Sequence, residues 1–188
     1  MAKTKRTPVD FSELGGFRYL HFGSEWIQGG MRINRPYSLA LEYQQYMLAL
    51  LFFRPEPKDI LQLGLGAGGL AKYTWKYFPD AHTKVIEISE DVYMASRMWF
   101  KMPDDDDHLE VVFEDCKKYL AGAANTADWL LVDIYDAEAW RLTKNPHQFC
   151  NNGFCCHIIG LKDSFMITEF FSNLIYAKIN LDWKLTMI

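Results

Sequence analysis

The sequence predicts an α/β fold, a parallel and doubly wound sheet behind a small antiparallel hairpin region, and two observations carry that reading. First, the run Asp59-Ile60-Leu61-Gln62-Leu63-Gly64-Leu65-Gly66-Ala67-Gly68-Gly69 takes an apolar strand directly into a glycine-rich turn. Second, Val85-Ile86-Glu87-Ile88 is another apolar strand, and it ends on a carboxylate. A glycine turn after one strand and an acid at the tip of the next read as a nucleotide or nucleoside site at the C-terminal edge of a parallel sheet. Gly64 and Gly66 allow a sharp turn and a close backbone approach to the ligand, and Gly69 lets the following helix pack on its strand. Glu87 is placed to accept hydrogen bonds from ribose hydroxyls.

In chain order, a polar tail runs to about residue 12, where Lys3, Lys5 and Arg6 form a solvated basic start. Phe17 to Ile33 alternates between apolar and polar residues, and Gly23-Ser24 and Gly29-Gly30 read as hairpin turns, because glycine supplies the positive φ such turns need. Pro36 and Ser38, the latter as N-cap, lead into an apolar, buried helix over Leu39 to Phe53, which Pro55 and Pro57 end. Short apolar runs at 60–63, 84–88, 109–113 and 129–134 then read as strands, with helices near 68–77, 89–101 and 115–121 between them. Right-handed crossovers make this a parallel sheet. Asp104 to Asp107 is a solvated acidic loop, without the glycine of a calcium-binding loop. Further on, Phe165 to Thr168 and Trp183 to Ile188 read as strands, and a closing hairpin looks short or missing, which would leave a sheet edge exposed. The expected division is a tail and hairpin region over 1–36 and a Rossmann-like body over 37–188, whose C-terminal end looks truncated or divergent.

Composition narrows the function. The chain has 188 residues, 49% of them hydrophobic, enough for one substantial core. A net charge of −4 and the lack of a basic stripe argue against nucleic acid, and Trp75, Trp99, Trp129 and Trp140 read as core or subunit contacts. No run approaches the roughly 18 to 20 apolar residues of a membrane span, and the start lacks a signal-peptide core, so a cytoplasmic protein is expected. Of four cysteines, Cys150, Cys155 and Cys156 are crowded together. They read as reduced thiols, and with His147 and His157 they lack the paired spacing of a zinc site, so no metal is expected.

A glycine turn alone does not separate dehydrogenases, flavin enzymes and S-adenosyl-ligand enzymes; the other strand ends do. The third strand is followed by Glu114-Asp115-Cys116 and the fourth ends in Asp133-Ile134-Tyr135-Asp136. Ligands of open α/β sheets bind outside the carboxyl ends of the strands, so Gly64 to Gly69, Glu87, Asp115 and Asp133 should converge on one crevice. Structural roles stand beside these: Glu87 and Asp115 as helix caps, Asp136 as a turn acid, Tyr43 as a core tyrosine, Gln28 as a strand glutamine.

These segments resemble the polyamine aminopropyltransferase, or spermidine synthase, family over roughly residues 17 to 140. Trp26-Ile27-Gln28 resembles its hairpin glutamine segment, Gly64 to Gly69 its glycine motif, Val85 to Ile88 its ribose strand, Glu114 to Cys116 its adenine motif and Asp133 to Asp136 its catalytic loop. The resemblance implies an S-adenosyl-ligand type of Rossmann-like sheet and a homodimer. It also implies transfer of an aminopropyl group from decarboxylated S-adenosylmethionine to a polyamine such as putrescine, with no prosthetic group. Asp133 would be the catalytic base. Gln28, Gly64, Gly66, Glu87 and Asp115 would bind the donor, and Tyr43 and Asp136 the acceptor. The family carries an acid where this chain has Ala67, and acids near Arg32, Asn34 and Arg35. Those departures keep two alternatives open: an S-adenosylmethionine-dependent methyltransferase using the same cleft, and a non-catalytic adenosyl-ligand-binding homologue.

Overall fold

The computed structural model describes residues 8–48, 51, 55–122 and 127–134, together with the backbone of four strands further on, at 156–161, 164–169, 175–180 and 184–187. Strands β1 (Asp10–Leu14), β2 (Phe17–His21) and β3 (Gly29–Arg32) form an antiparallel sheet. A short helix α1 (Glu42–Met47) follows. The second sheet begins with β4 (Asp59–Leu63), α2 (Gly69–Tyr77), β5 (His82–Glu87), α3 (Glu90–Phe100), β6 (Leu109–Phe113), α4 (Cys116–Gly122) and β7 (Trp129–Val132). It continues with β8 (Cys156–Leu161), β9 (Ser164–Glu169), β10 (Ile175–Asn180) and β11 (Lys184–Met187).

Its strand order is β11-β10-β9-β8-β7-β4-β5-β6. Strands β8, β7, β4, β5 and β6 run parallel, and β9, β10 and β11 add on antiparallel. The parallel strands read as nearly unbroken apolar runs because both faces are covered. In β4, Ile60, Leu61 and Leu63 are all buried, as are Leu130, Leu131 and Val132 of β7. Each such side chain contributes about 1.5–3 kcal/mol by leaving water. Trp129 meets the ring of Phe78 edge-on, 5.1 Å between centroids.

The helices start where the sequence lets them. Ser89 caps α3, its hydroxyl accepting from the Val92 amide at 3.3 Å, with Glu90 and Asp91 in the first turn. Lys101, in the left-handed conformation, closes that helix. The start of β7 is fixed to the start of β4 by Asp128, whose Oδ2 accepts from the Lys58 and Asp59 amides at 2.7 and 3.2 Å. Removing a buried acceptor strands both amides, so Asp128→Ala is expected to cost about 1–3 kcal/mol in urea denaturation, and Asp128→Asn less.

Several expectations change. The β1–β2 turn is Gly15-Gly16, both at positive φ; Gly23-Ser24 lies in the β2–β3 connection, with Gly23 also at positive φ, but Gly29-Gly30 lie inside β3. A side chain at 29 would meet the Ala67 amide nitrogen at 2.7 Å, so Gly29 answers to close approach and not to a turn. The polar tail ends sooner than expected, because β1 begins at Asp10. Ser38 does not cap α1. Its hydroxyl donates to the Arg35 carbonyl, and Leu41 is the cap residue, with no side-chain bond. The predicted helix over Leu39 to Phe53 becomes a shorter α1, and part of its second half lies outside the described residues. Phe165 to Thr168 and Trp183 to Ile188 correspond to β9 and β11, while β8 and β10 are strands the sequence did not reveal. The edge expected after a missing hairpin is instead continued by the β9-β10-β11 meander. Cys150 and Cys155 lie outside the described residues.

Candidate active site

Backbone hydrogen bonds link the carboxyl ends of four parallel strands into one rim. The Asp133 amide donates to the Leu63 carbonyl at 2.9 Å, the Gly64 amide to Ile86 at 2.8 Å, and the Glu114 amide to Glu87 at 3.1 Å. In the order β7-β4-β5-β6, the rim spans three strand spacings, about 14 Å. Gly64, Glu87, Glu114 and Asp133 therefore stand in a row, as strand-end reasoning expects.

Gly64 occupies the tightest point. Its φ is +88°, and a Cβ there would lie 2.2 Å from the Asp133 carbonyl oxygen. Gly66 sits at φ +54°, with the Gln28 carbonyl 3.1 Å from where its Cβ would be. The start of β3 and the residue before it thus lie directly on the glycine loop, and Gln28 is held there by its backbone N–H, which donates to the Leu20 carbonyl at 2.8 Å.

Glu87 is buried, and its carboxylate ties two segments together. Oε2 accepts from the Leu65 amide and Oε1 from the Ser89 amide, each at 2.9 Å. Burial pushes its carboxyl up from the usual range, while the amides of Ser89, Leu65 and Ile88 oppose that by stabilising the charge. It is not a surface acid: one oxygen shapes the glycine loop and the other the entry to α3. Asp115 is exposed and caps α4, its Oδ1 accepting from the Lys117 and Lys118 amides at 2.7 and 3.3 Å. Between these acids lies the half-buried Cys116, its thiol pushed up to about 12 by burial and by the charges of Glu87 and Asp115.

At the other end, the Tyr43 hydroxyl reaches across from α1 and donates to Asp133 Oδ2 at 3.0 Å. Enclosure of the Asp133 carboxyl raises it to about 6, against the lowering effect of the Tyr43 bond. A carboxylate so tuned is ionised at neutral pH yet basic enough to take a proton.

The structure therefore brings Gln28, Gly64, Gly66, Glu87, Asp133 and Tyr43 into one connected region, with Asp115 next to it on α4. Asp136 lies outside the described residues. Ala67 is buried in an apolar cluster with Leu20, Met31, Ala95 and Phe100. Arg32 lies at the far end of β3 from the glycine loop, its guanidinium 4.6 Å from the centre of the Phe17 ring.

Two glutamines were not among the residues expected. Gln44 is buried, donates to the Tyr43 hydroxyl at 3.3 Å and packs where a Cβ on Gly69 would fall, 2.8 Å away. Gln62, fully buried in β4, donates to the Gly64 carbonyl at 2.7 Å. Among the described residues, Oε1 of each has no hydrogen-bond partner. The signal for Gln62 was visible: it is the one uncharged polar residue in an apolar strand, immediately before the glycine turn.

Residues 42–150 match the model of the spermine/spermidine synthase domain. A polyamine aminopropyltransferase of Chromobacterium violaceum is 38% identical over 128 residues, 68% of this chain and 49% of that protein. The chain spans about half the length of the curated relatives it matches. Among solved structures, a probable spermidine synthase from Corynebacterium glutamicum superposes with TM-score 0.68 at 16% identity, covering 84% of this chain and 63% of that one. Human methyltransferase-like protein 13, in complex with SAH, gives 0.56 at 20% identity, covering 65% of each chain. At such identities the two superpositions speak to the Rossmann-like fold.

Proposed function

This chain belongs to the spermine/spermidine synthase family, and from that premise we propose that it moves an aminopropyl group from decarboxylated S-adenosylmethionine to a polyamine such as putrescine. The observation that carries the reading is the Tyr43–Asp133 pair, set beside the glycine turn at the end of β7.

An acceptor amine attacks the methylene carbon next to the donor's sulfonium, and methylthioadenosine leaves as a neutral thioether. The amine must lose a proton to attack, so a base and in-line placement are what the protein supplies. Asp133 is that base. Tyr43 holds Oδ2, which turns Oδ1 toward the amine. Glu87 takes the ribose hydroxyls, Gly64 and Gly66 admit the donor close to the backbone, Asp115 receives the adenine amino group, and Gln28 closes the donor side from β3. Asp136 neutralises the acceptor's charge. The enclosure of Ala67 by apolar side chains leaves the donor's ammonium to be met by groups other than residue 67. In this reading residues 1–36 are the N-terminal tail and small hairpin region and 37–188 the catalytic body, the active form being a cytoplasmic homodimer.

No helix among the described residues is long and apolar enough to cross a membrane. The test of function is product analysis with decarboxylated S-adenosylmethionine and putrescine. Release of methylthioadenosine together with spermidine supports the reading, and its absence under saturating donor rejects it. Transfer from S-adenosylmethionine instead would mark the cleft as that of a methyltransferase.

Tyr43→Phe provides a graded check. Losing the phenol removes the bond that stabilises the Asp133 carboxylate. The acidic limb of the pH–rate profile should therefore move above its wild-type position, and turnover should fall about tenfold, less than for loss of the base itself.

A further inference from the structure

Lys72 is a buried cation-forming group that the mechanism above does not use. It lies on α2, one turn beyond the glycine loop, and its side chain is fully buried. Its amide donates to the Gly68 carbonyl at 2.9 Å, and its Nζ donates to the Phe100 carbonyl at 2.6 Å. Among the described residues that carbonyl is its one side-chain acceptor. An ammonium has three donors, so a charged Lys72 would leave two of them unmet in an apolar interior.

The surroundings connect this contact to the donor loop. Phe100 belongs to the same cluster as Ala67, and Met102 lies so close that a Cβ on Gly68 would meet its Sδ at 2.8 Å. The end of α3 thus supports the loop from below, while Gln28 and Gly29 cover it from above. Three cationic groups stand near the α3 end. Arg18 of β2 donates to the Trp99 carbonyl, Arg97 on α3 is engaged by Asp104, and Lys101 is the C-cap. None of these offers Lys72 a counter-charge: its amine is lowered to about 7, and burial is the cause.

We infer that Lys72 is a positioning residue for the donor: as a neutral amine it pins the glycine loop to the last carbonyl of α3, and its protonation releases the loop. The inference rests on the functional reading for its ligand and goes beyond it in assigning the loop a second, acid-sensitive support. The sign follows from burial. The pinned state disfavours the charged amine, so acidification through about pH 7 shifts the protein toward an unpinned state in which Lys72 is hydrated.

The probe is methylthioadenosine, titrated by calorimetry across the neutral range. Wild-type affinity should fall as pH drops through about 7, by at most about tenfold per pH unit. Lys72→Gln keeps an N–H donor for the Phe100 carbonyl without a titrating group, and should bind as wild type does at the alkaline end and stay flat through the neutral range. Lys72→Met should bind more weakly throughout. Glu87 and Asp133 also titrate at the site and are retained in both variants, so the difference between profiles isolates Lys72. Urea denaturation of each variant separates misfolding from loss of the pin. It also gives a ligand-independent readout: wild-type stability should rise with pH above about 7 and that of Lys72→Gln should not. A Lys72→Gln profile that tracks wild type overturns the pin alone. Failure of methylthioadenosine to bind at any pH overturns it together with the functional reading.

Discussion

Asp133→Asn is expected to bind the donor nucleoside nearly as wild type does and to lose turnover by a factor of about 10²–10⁴, the usual reach of a positioned general base. An amide cannot take the proton that the acceptor amine must shed. The pH profile should separate this from a packing defect. Enclosure holds the wild-type carboxyl up at about 6, so activity should fall on the acid side of that value. In the variant that limb should disappear from whatever activity remains. Stability should move the other way. A carboxyl raised above its unfolded value contributes most when protonated, and the contribution is lost as pH rises through about 6. At neutral pH the uncharged amide should therefore leave the fold at least as stable as wild type, which urea denaturation checks. Unchanged turnover would remove Asp133 from the mechanism.

The second large effect is expected at Gly64. Alanine there must adopt φ +88° and place its Cβ 2.2 Å from the Asp133 carbonyl. Left-handed strain costs about 1–3 kcal/mol and overpacking a similar amount, so Gly64→Ala should lose roughly 2–6 kcal/mol in denaturant. What survives should bind methylthioadenosine poorly. Relief of the clash must move either the loop or the end of β7, and each carries part of the site. Gly122, where a Cβ would meet nothing within 4 Å among the described residues, is the contrasting position: alanine there should be nearly silent in both measurements.

The same geometry explains why some of the site was legible in the sequence. Glu87 and Asp133 were identifiable because each follows an apolar strand, and parallel strands end on one edge. Their burial and partners were not identifiable. Nothing local says that Glu87 holds the Leu65 and Ser89 amides, or that Tyr43, 90 residues away in the chain, donates to Asp133. Gln44, beside Tyr43, gives no local signal for the same reason: its role lies in what α1 packs against. Asp115 carried two local readings, and its cap of α4 is the one visible as hydrogen bonds. Position in the chain alone says nothing of where Arg32 ends up: β3 carries it onto Phe17, at its far end from the glycine loop.

By itself the sequence determined the alternation of buried strands and helices, the glycine turn and the row of acids at the strand ends, because periodicity and strand direction are local properties. Only the tertiary structure decided which glycines are turns and which are contacts. Gly29, read as a turn, lies in a strand, and the Ala67 backbone beside it leaves no room for a side chain. It also turned Ala67, an apparent gap in the binding motif, into a core residue and Lys72, an ordinary helix lysine on paper, into a buried amine. Burial, and with it the tuning of each ionisable group, is set by neighbours distant in the chain.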